Sequence, residues 1–116
     1  MRVDLYGLKN CDGCRKASKA LQARDLVVEF HDIRDRSNTA RVVAWIADQA
    51  DWSAFVNRRS TTWRNLDPAE RDHLDKAGAL TLLTAHPTLI KRPVLRIGRH
   101  CLAGFDNDAV TAALQS

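Results

Sequence analysis

The strongest constraint on the fold lies in the first third of the chain, where the spacing of apolar residues changes from strand-like to helical and back. A short β-type run at 3–6 ends at Gly7, apolar residues at helical spacing follow at 17–21, and a second β-type run covers 27–33. This order predicts a strand, a loop, a helix and a second strand. One βαβ unit should therefore occupy this part of the chain.

The middle of the chain is predicted to be mainly helical. Helices are expected over 37–50 and 67–78, and each begins after a good capping residue, Ser37 or Asp67. A further short helix, from about Ala79, should end ahead of the next proline, because proline disfavours helical geometry in the residue before it.

The last part of the chain predicts a hairpin followed by a helix. Strand-like segments at 94–97 and 100–103 flank Gly98, which suits the first position of a two-residue turn, and Asp106 caps a final amphipathic helix. The predicted order is β-α-β, a helical block and β-β-α, which gives an α/β fold with a mixed sheet.

Length and composition fit one folded domain. The chain has 116 residues, of which 45% are hydrophobic and 28% charged, so a single packed core is feasible. We expect one domain, 1–116, with a helical insertion at about 37–86. The longest apolar run, 42–47, is far shorter than the roughly 20 residues of a membrane span, so no membrane association is expected.

Charge and cysteine content narrow the class of protein further. The net charge of +4 favours anionic partners but is too small to indicate direct nucleic-acid binding, and none is expected. Three cysteines in a chain without a signal-peptide pattern indicate a reducing compartment, so we expect a cytoplasmic protein in which any disulfide is transient.

Cys11 and Cys14 form a C-x-x-C motif at the predicted junction between strand and helix. Residues three apart in a helical turn lie on one face, so a disulfide between them is geometrically reasonable. The helix dipole and the neighbouring Arg15 and Lys16 favour a thiolate on Cys11. Cys11 is the predicted nucleophile and Cys14 a candidate resolving thiol; the alternative is that Cys14 only fills the inner face of the helix.

The third cysteine and the histidines give weaker signals. Cys101 lies inside a predicted strand, where a small buried side chain is more typical than a resolving thiol, and both interpretations stay open. The histidines and Cys101 show no familiar ligand spacing and no second C-x-x-C is present, so no metal site is expected.

Two basic segments are candidates for anion binding. Arg58 and Arg59 lie in the segment 55–64, which is neither strongly helical nor alternating and predicts an ordered functional loop or a connector with solvent-facing arginines. Arg92 and Pro93 stand immediately before the first hairpin strand. Most bonds before proline are trans, so the sequence by itself does not predict a cis bond there.

Five segments in order resemble the arsenate reductase and Spx family, most closely its YffB-like branch: Tyr6–Asp12 with Lys16 and Ala17, Phe30–Arg34, Asn57–Leu66, Ile90–Val94, and Gly104 with Phe105. The resemblance implies a thioredoxin-like fold with a helical insertion and a cis bond before Pro93. It also implies that Cys11 is the nucleophile and that Arg92 and either Arg58 or Arg59 bind an anionic group. Related arsenate reductases carry an arginine where this chain has Phe105, so arsenate reduction is expected to be weak or absent.

The resemblance implies a glutathione-dependent thiol-disulfide oxidoreductase as the first expectation. Such an enzyme holds no bound cofactor and uses glutathione as a co-substrate, or a glutaredoxin-like protein as electron donor. One alternative is an Spx-like regulator in which Cys11 and Cys14 form a redox switch that controls binding to RNA polymerase. The other alternative is an arsenate reductase.

Overall fold

The computed structural model describes residues 1–116 and contains four strands, six α-helices and two short 3-10 helices, Trp52–Phe55 and Pro87–Leu89. The strands are β1 (Arg2–Gly7), β2 (Val27–Asp32), β3 (Val94–Ile97) and β4 (His100–Ala103). The helices are α1 (Asp12–Gln22), α2 (Arg36–Ala47), α3 (Thr61–Arg64), α4 (Pro68–Arg71), α5 (Lys76–Ala85) and α6 (Asn107–Leu114). No helix is long and apolar enough to cross a membrane.

The chain divides into two compact units. The first unit consists of Met1–Ile33 and Arg92–Ser116, and the second is the continuous segment Arg34–Lys91. The segment expected as a helical insertion, about 37–86, lies within the second unit. The expectation that all of 1–116 forms a single domain stays a prediction.

The first unit is built on a four-stranded sheet with the order β2-β1-β3-β4. β1 and β2 are parallel, as the βαβ unit requires, whereas β3 is antiparallel to both β1 and β4. The turn between β3 and β4 is centred on Gly98, whose φ of 57° is in the left-handed region that glycine tolerates best. The predicted mixed sheet and the predicted hairpin are confirmed.

One face of this sheet forms the core of the first unit. Because side chains alternate along a strand, the inward residues of β1 and β3 pack against the inner faces of α1 and α6. The buried members of this cluster include Val3, Leu5, Leu95 and Ile97 from the strands and Ala17, Leu21, Val110 and Ala113 from the helices. The cap of α6 is the predicted one, since the Asp106 carboxylate accepts hydrogen bonds from the Asp108 and Ala109 amides.

The residue that caps α2 differs from the predicted one. The helix begins at Arg36 and is capped by Asp35, whose carboxylate accepts hydrogen bonds from the amides of Ser37 and Asn38. Ser37 therefore lies inside the first turn rather than before it. A carboxylate both accepts amide hydrogens and complements the positive end of the helix dipole, so Asp35 is the stronger cap.

The helix predicted over 67–78 is wrong, because two helices occupy this stretch. α4 begins after the predicted Asp67 cap but ends at Arg71, and His73 takes a left-handed φ of 58°. Asp75 then caps α5 by accepting a hydrogen bond of 2.7 Å from the Gly78 amide. Gly78 thus lies in the first turn of a helix, and a second capping acid restarts the helical hydrogen bonding there.

Candidate functional site

The loop between β1 and α1 fixes the backbone of Cys11. Cys11 is the residue immediately before α1 and has an extended conformation, with φ −94° and ψ 121°. Its amide donates to the Leu8 carbonyl at 3.2 Å, and its carbonyl accepts from the Arg15 amide at 3.0 Å. The thiol is therefore held at the N-terminal end of an eleven-residue helix.

Gly7 allows the second cysteine to pack tightly behind this loop. Cys14 is buried, and its Sγ approaches Gly7 so closely that a Cβ at residue 7 would overlap it. The glycine carbonyl also accepts a hydrogen bond of 3.0 Å from the Ile33 amide, which anchors the end of β1. The sequence analysis identified Gly7 only as the end of a strand. A glycine at the end of a strand, before the loop that leads into a helix, is the sequence signal that could have indicated this close approach.

Strand pairing carries Arg92 to the same end of the sheet. Tyr6 of β1 is paired with Val94 of β3 in antiparallel register, so the residues that follow Tyr6 run beside those that precede Val94. The Arg92–Pro93 peptide bond is cis, as the family resemblance implied. The Pro93 carbonyl accepts a hydrogen bond of 2.7 Å from the Gly104 amide, which ties this segment to the end of β4.

Hydrogen bonding lowers the pKa of Cys11. Partial burial of the thiol opposes its ionisation, but hydrogen bonds from the Cys14 amide, the Cys14 thiol, the Gly13 amide and the Arg92 guanidinium outweigh that effect. All four donors stabilise a thiolate more than a neutral thiol. These hydrogen bonds therefore favour ionisation of the Cys11 thiol, and its role as nucleophile stays a prediction.

The pKa values of the other two cysteines are shifted in the opposite direction. Burial is the largest cause in both, and it raises the pKa of Cys14 to about 11 and that of Cys101 to about 11. The negative charge on Cys11 adds to the effect at Cys14. Cys101 lies on β4 opposite Arg96, and the guanidinium of that residue partly counteracts the burial. The thiols of Cys11 and Cys14 are thus hydrogen-bonded neighbours, whereas Cys101 has a different environment.

Arg58 and Arg59 lie in the second unit, in an ordered connector. Arg58 is exposed and its guanidinium carbon lies 5.4 Å from the centre of the Trp63 ring, a cation–π arrangement. Arg59 is also exposed, and its amide donates to the Asn57 side chain at 3.1 Å. Both residues line an open cavity of about 410 Å³ together with Lys91. Their role toward Cys11 stays a prediction.

Comparison with known proteins places the chain in a family. The model of the ArsC family matches residues 6–113. This chain belongs to the ArsC family. Sequence relatives of this member include a Haemophilus influenzae protein described as uncharacterized, 40% identical over 96% of this chain and 97% of the relative. They also include the global transcriptional regulator Spx 1 of Lactococcus lactis, 28% identical over 97% of this chain and 88% of the regulator.

Solved structures confirm the fold of this ArsC family member. A protein named YFFB is 40% identical, with a TM-score of 0.79 over 97% of this chain and 98% of that one. An arsenate reductase (ArsC) related protein from Brucella melitensis is 32% identical, with a TM-score of 0.75 over 100% of this chain and 97% of that one. The thioredoxin-like fold and the resemblance to this family are therefore confirmed.

Proposed function

We propose that this chain is a thiol-disulfide oxidoreductase in which the thiolate of Cys11 attacks a glutathionylated or otherwise mixed disulfide. The opposite pKa shifts of the two cysteines are the observation that carries the proposal. Cys11 is stabilised as a thiolate by amides at the start of α1 and by Arg92, while burial holds Cys14 protonated with a pKa of about 11. The Cys11 sulfur can act as the nucleophile, and the protonated Cys14 thiol remains available for a later step.

The first chemical step is a disulfide exchange. The Cys11 sulfur forms a bond to the glutathione sulfur, the original disulfide bond breaks, and the substrate thiol leaves as a thiolate that takes a proton from solvent. Cys11 is then oxidised as a mixed disulfide with glutathione, and the substrate thiol has been reduced.

A second thiol completes the cycle by one of two routes. A free glutathione thiolate can attack the bound glutathione sulfur, which releases glutathione disulfide and regenerates the Cys11 thiolate. Alternatively, Cys14 loses its proton and attacks the Cys11 sulfur, which releases glutathione and leaves a Cys11–Cys14 disulfide. That disulfide needs two electrons from glutathione or a glutaredoxin-like donor.

Arg92 is the residue that we assign to binding an anionic part of the substrate. Its guanidinium is already directed to the Cys11 sulfur, and a planar guanidinium can also hold a carboxylate with two hydrogen bonds. Glutathione carries such carboxylates. Arg58 and Arg59 are proposed as the second contact, and alanine variants of each residue test which of the two takes part.

The direct test is turnover of a glutathionylated peptide with glutathione as reductant. We expect activity in the wild type, none in Cys11→Ser, and an unchanged first step in Cys14→Ser. If Cys14→Ser completes the cycle, glutathione resolves the intermediate; if it stops at the mixed disulfide, Cys14 does. Turnover by Cys11→Ser, or no turnover by the wild type with either donor, would contradict the proposal.

A redox-switched regulator is the second candidate, and the extent of the Spx 1 similarity favours it. The similarity to the Lactococcus lactis regulator spans 97% of this chain, and the adjacent thiols of Cys11 and Cys14 could form a switch. In this candidate the protein binds the RNA polymerase α subunit in one redox state only. A pull-down with purified α subunit, before and after oxidation, tests it; binding that depends on the redox state in a chain without turnover would favour the regulator.

A further inference from the structure

A small apolar cavity lies next to Cys11 and Cys14, between α1 and the edge strand β2. Its volume is about 230 Å³, and its walls are formed by the β1–α1 loop, one side of α1 and β2. Cys14 lines it, and the Cys14 thiol is hydrogen-bonded to that of Cys11. A group that enters the cavity is therefore separated from the nucleophile by a single thiol.

The cavity exists because α1 does not fully cover the edge strand. β2 is the outermost strand of the sheet, and its Val28 and Phe30 point to the same face as Leu5, since Phe30 is paired with Leu5 in register. Both β2 side chains are only half-buried. Across from them α1 presents Ser18, whose short side chain leaves the space open. The floor is thus apolar, and its Val28 and Phe30 side chains are packed against the core but remain partly exposed.

The rim of the cavity carries positive charge. Lys9 and Arg15 line it, and both are exposed. Arg15 pairs with Asp12, which is the only acidic residue of α1, whereas the helix also carries Lys16 and Lys19. The surroundings therefore remain net basic, which favours a group that combines an apolar body with a nearby carboxylate.

The size of the cavity selects the kind of occupant. Pockets for drug-sized ligands and cofactors usually have volumes of roughly 300 to 1,000 Å³. At about 230 Å³, this one is matched to a single large side chain rather than to a complete cofactor. A protein whose disulfide is exchanged at Cys11 can present such a side chain from a residue near its own cysteine.

We propose that this cavity receives a large apolar side chain of a protein disulfide substrate, and that acidic residues beside that side chain contact Lys9 and Arg15. This specificity rests on the proposed oxidoreductase function. The cavity would select protein substrates by the sequence around their reacting cysteine. Small disulfides lack such a sequence. The preferred substrates contain an aromatic or long aliphatic residue next to one or more acidic residues, close to the reacting cysteine.

Two experiments on the complete chain test this specificity separately from turnover. Short peptides carry one cysteine with a Phe-Glu pair before or after it, and control peptides carry Ala-Lys at the same places. For turnover, each is supplied as its glutathione mixed disulfide. For binding, the cysteine is replaced by serine, and shifts of the Val28 and Phe30 resonances are followed by NMR in isotope-labelled protein.

We expect one Phe-Glu peptide to exceed its control at least about tenfold in kcat/KM, as burial of much of an aromatic side chain allows. The serine peptide should shift the Val28 and Phe30 signals at concentrations where its control does not. Ser18→Leu fills the cavity and Lys9→Glu reverses one charge on its rim, so each variant should lower the ratio between the peptides. Arg99→Glu, in the exposed turn of the β3–β4 hairpin at the opposite edge of the sheet from β2, is the matched control and should keep the ratio.

The possible failures lead to different conclusions. If no mixed disulfide turns over but the serine peptide binds at Val28 and Phe30, the proposed function fails, and the cavity is a binding site for an apolar side chain next to acidic residues but not for a disulfide substrate. If turnover is robust with equal rates for both peptides, the cavity assignment is wrong and the oxidoreductase stands. Shifts at Val28 and Phe30 that depend on protein concentration alone would mean that a second copy of the chain occupies the cavity, which also overturns the assignment.

Discussion

Cys11 and Cys14 lie three residues apart, yet their surroundings move their pKa values in opposite directions. The difference arises because Cys11 lies at the exposed start of α1, where amides and Arg92 point to its sulfur, whereas Cys14 is on the inner face of the helix. A single turn of helix thus holds one thiol whose ionisation is favoured and one whose ionisation is opposed.

The first prediction concerns the pH dependence of alkylation. Cys11 should react with iodoacetamide with a midpoint below the ordinary thiol value of about 8.5, because its thiolate is stabilised. Cys14 and Cys101, each with a pKa of about 11, should remain slow until much higher pH. The rate at each cysteine is measured by mass spectrometry of digested protein over a series of pH values.

Arg92 variants provide the control for this profile. Arg92→Ala should raise the Cys11 midpoint without restoring it fully to the ordinary value, because the Cys14 and Gly13 amides remain. Arg92→Lys should lie between wild type and alanine, since an ammonium keeps the charge but loses the planar geometry. Arg99→Ala, in the exposed turn of the hairpin, is the matched control. An unchanged midpoint in Arg92→Ala would remove this residue from the site.

The second prediction concerns the contact between Gly7 and Cys14. Gly7→Ala should destabilise the protein by about 1–3 kcal/mol, because its Cβ overlaps the buried sulfur. The double variant Gly7→Ala/Cys14→Ala should recover most of that loss, since the overlapping atom is gone. Gly13→Ala is the control, because a Cβ there meets only Cys11 Sγ, at 3.9 Å. Urea unfolding measures all of them, and additive effects at residues 7 and 14 would refute the contact.

At the scale of elements, the strands and the first and last helices, α1 and α6, are close to those predicted from the sequence. The hairpin strands have the predicted bounds, and Asp106 caps α6 as expected. These elements are fixed by local signals: alternation of apolar side chains, a glycine in the turn, and an acid before a helix.

The middle of the chain was predicted less well because several capping residues compete there. Asp35 and Ser37 both suit the start of α2, and Asp67 and Asp75 both suit a helix start within one short stretch. The break at His73 depends on a left-handed backbone at a residue that gives no sign of it in the sequence. Nor could the cavity beside Cys14 be predicted, since it depends on how far α1 extends over β2.

The third prediction tests which residue caps α2. Asp35→Ala should lower the free energy of unfolding by about 0.5–2 kcal/mol, because two amides lose their acceptor. Ser37→Ala is the matched control and should have little effect, since Ser37 contributes only its amide to this cap. Thermal and urea unfolding of the two variants provide the measurement. A larger loss for Ser37→Ala would restore serine as the cap.

At the scale of the whole molecule, the cysteines link the stability of the fold to pH. Cys14 and Cys101 are both buried and keep their protons up to a pKa of about 11 in the folded chain. In the unfolded chain each thiol has its ordinary pKa of about 8.5. Between those pH values the unfolded state has released protons that the folded state retains, so the free energy of unfolding falls as pH rises.

The last prediction is therefore an alkaline loss of stability that depends on these two thiols. Under reducing conditions the free energy of unfolding of the wild type should fall by about 1–3 kcal/mol for each buried cysteine between pH 9 and about 11. Lysine and tyrosine also titrate in this range, so the decisive quantity is the difference from Cys14→Ala/Cys101→Ala, whose decline should be shallower. Cys11→Ser should retain most of the decline, because burial is the largest cause of both raised pKa values. If the double variant declines as steeply as wild type in urea unfolding at each pH, the buried thiols do not control stability at high pH.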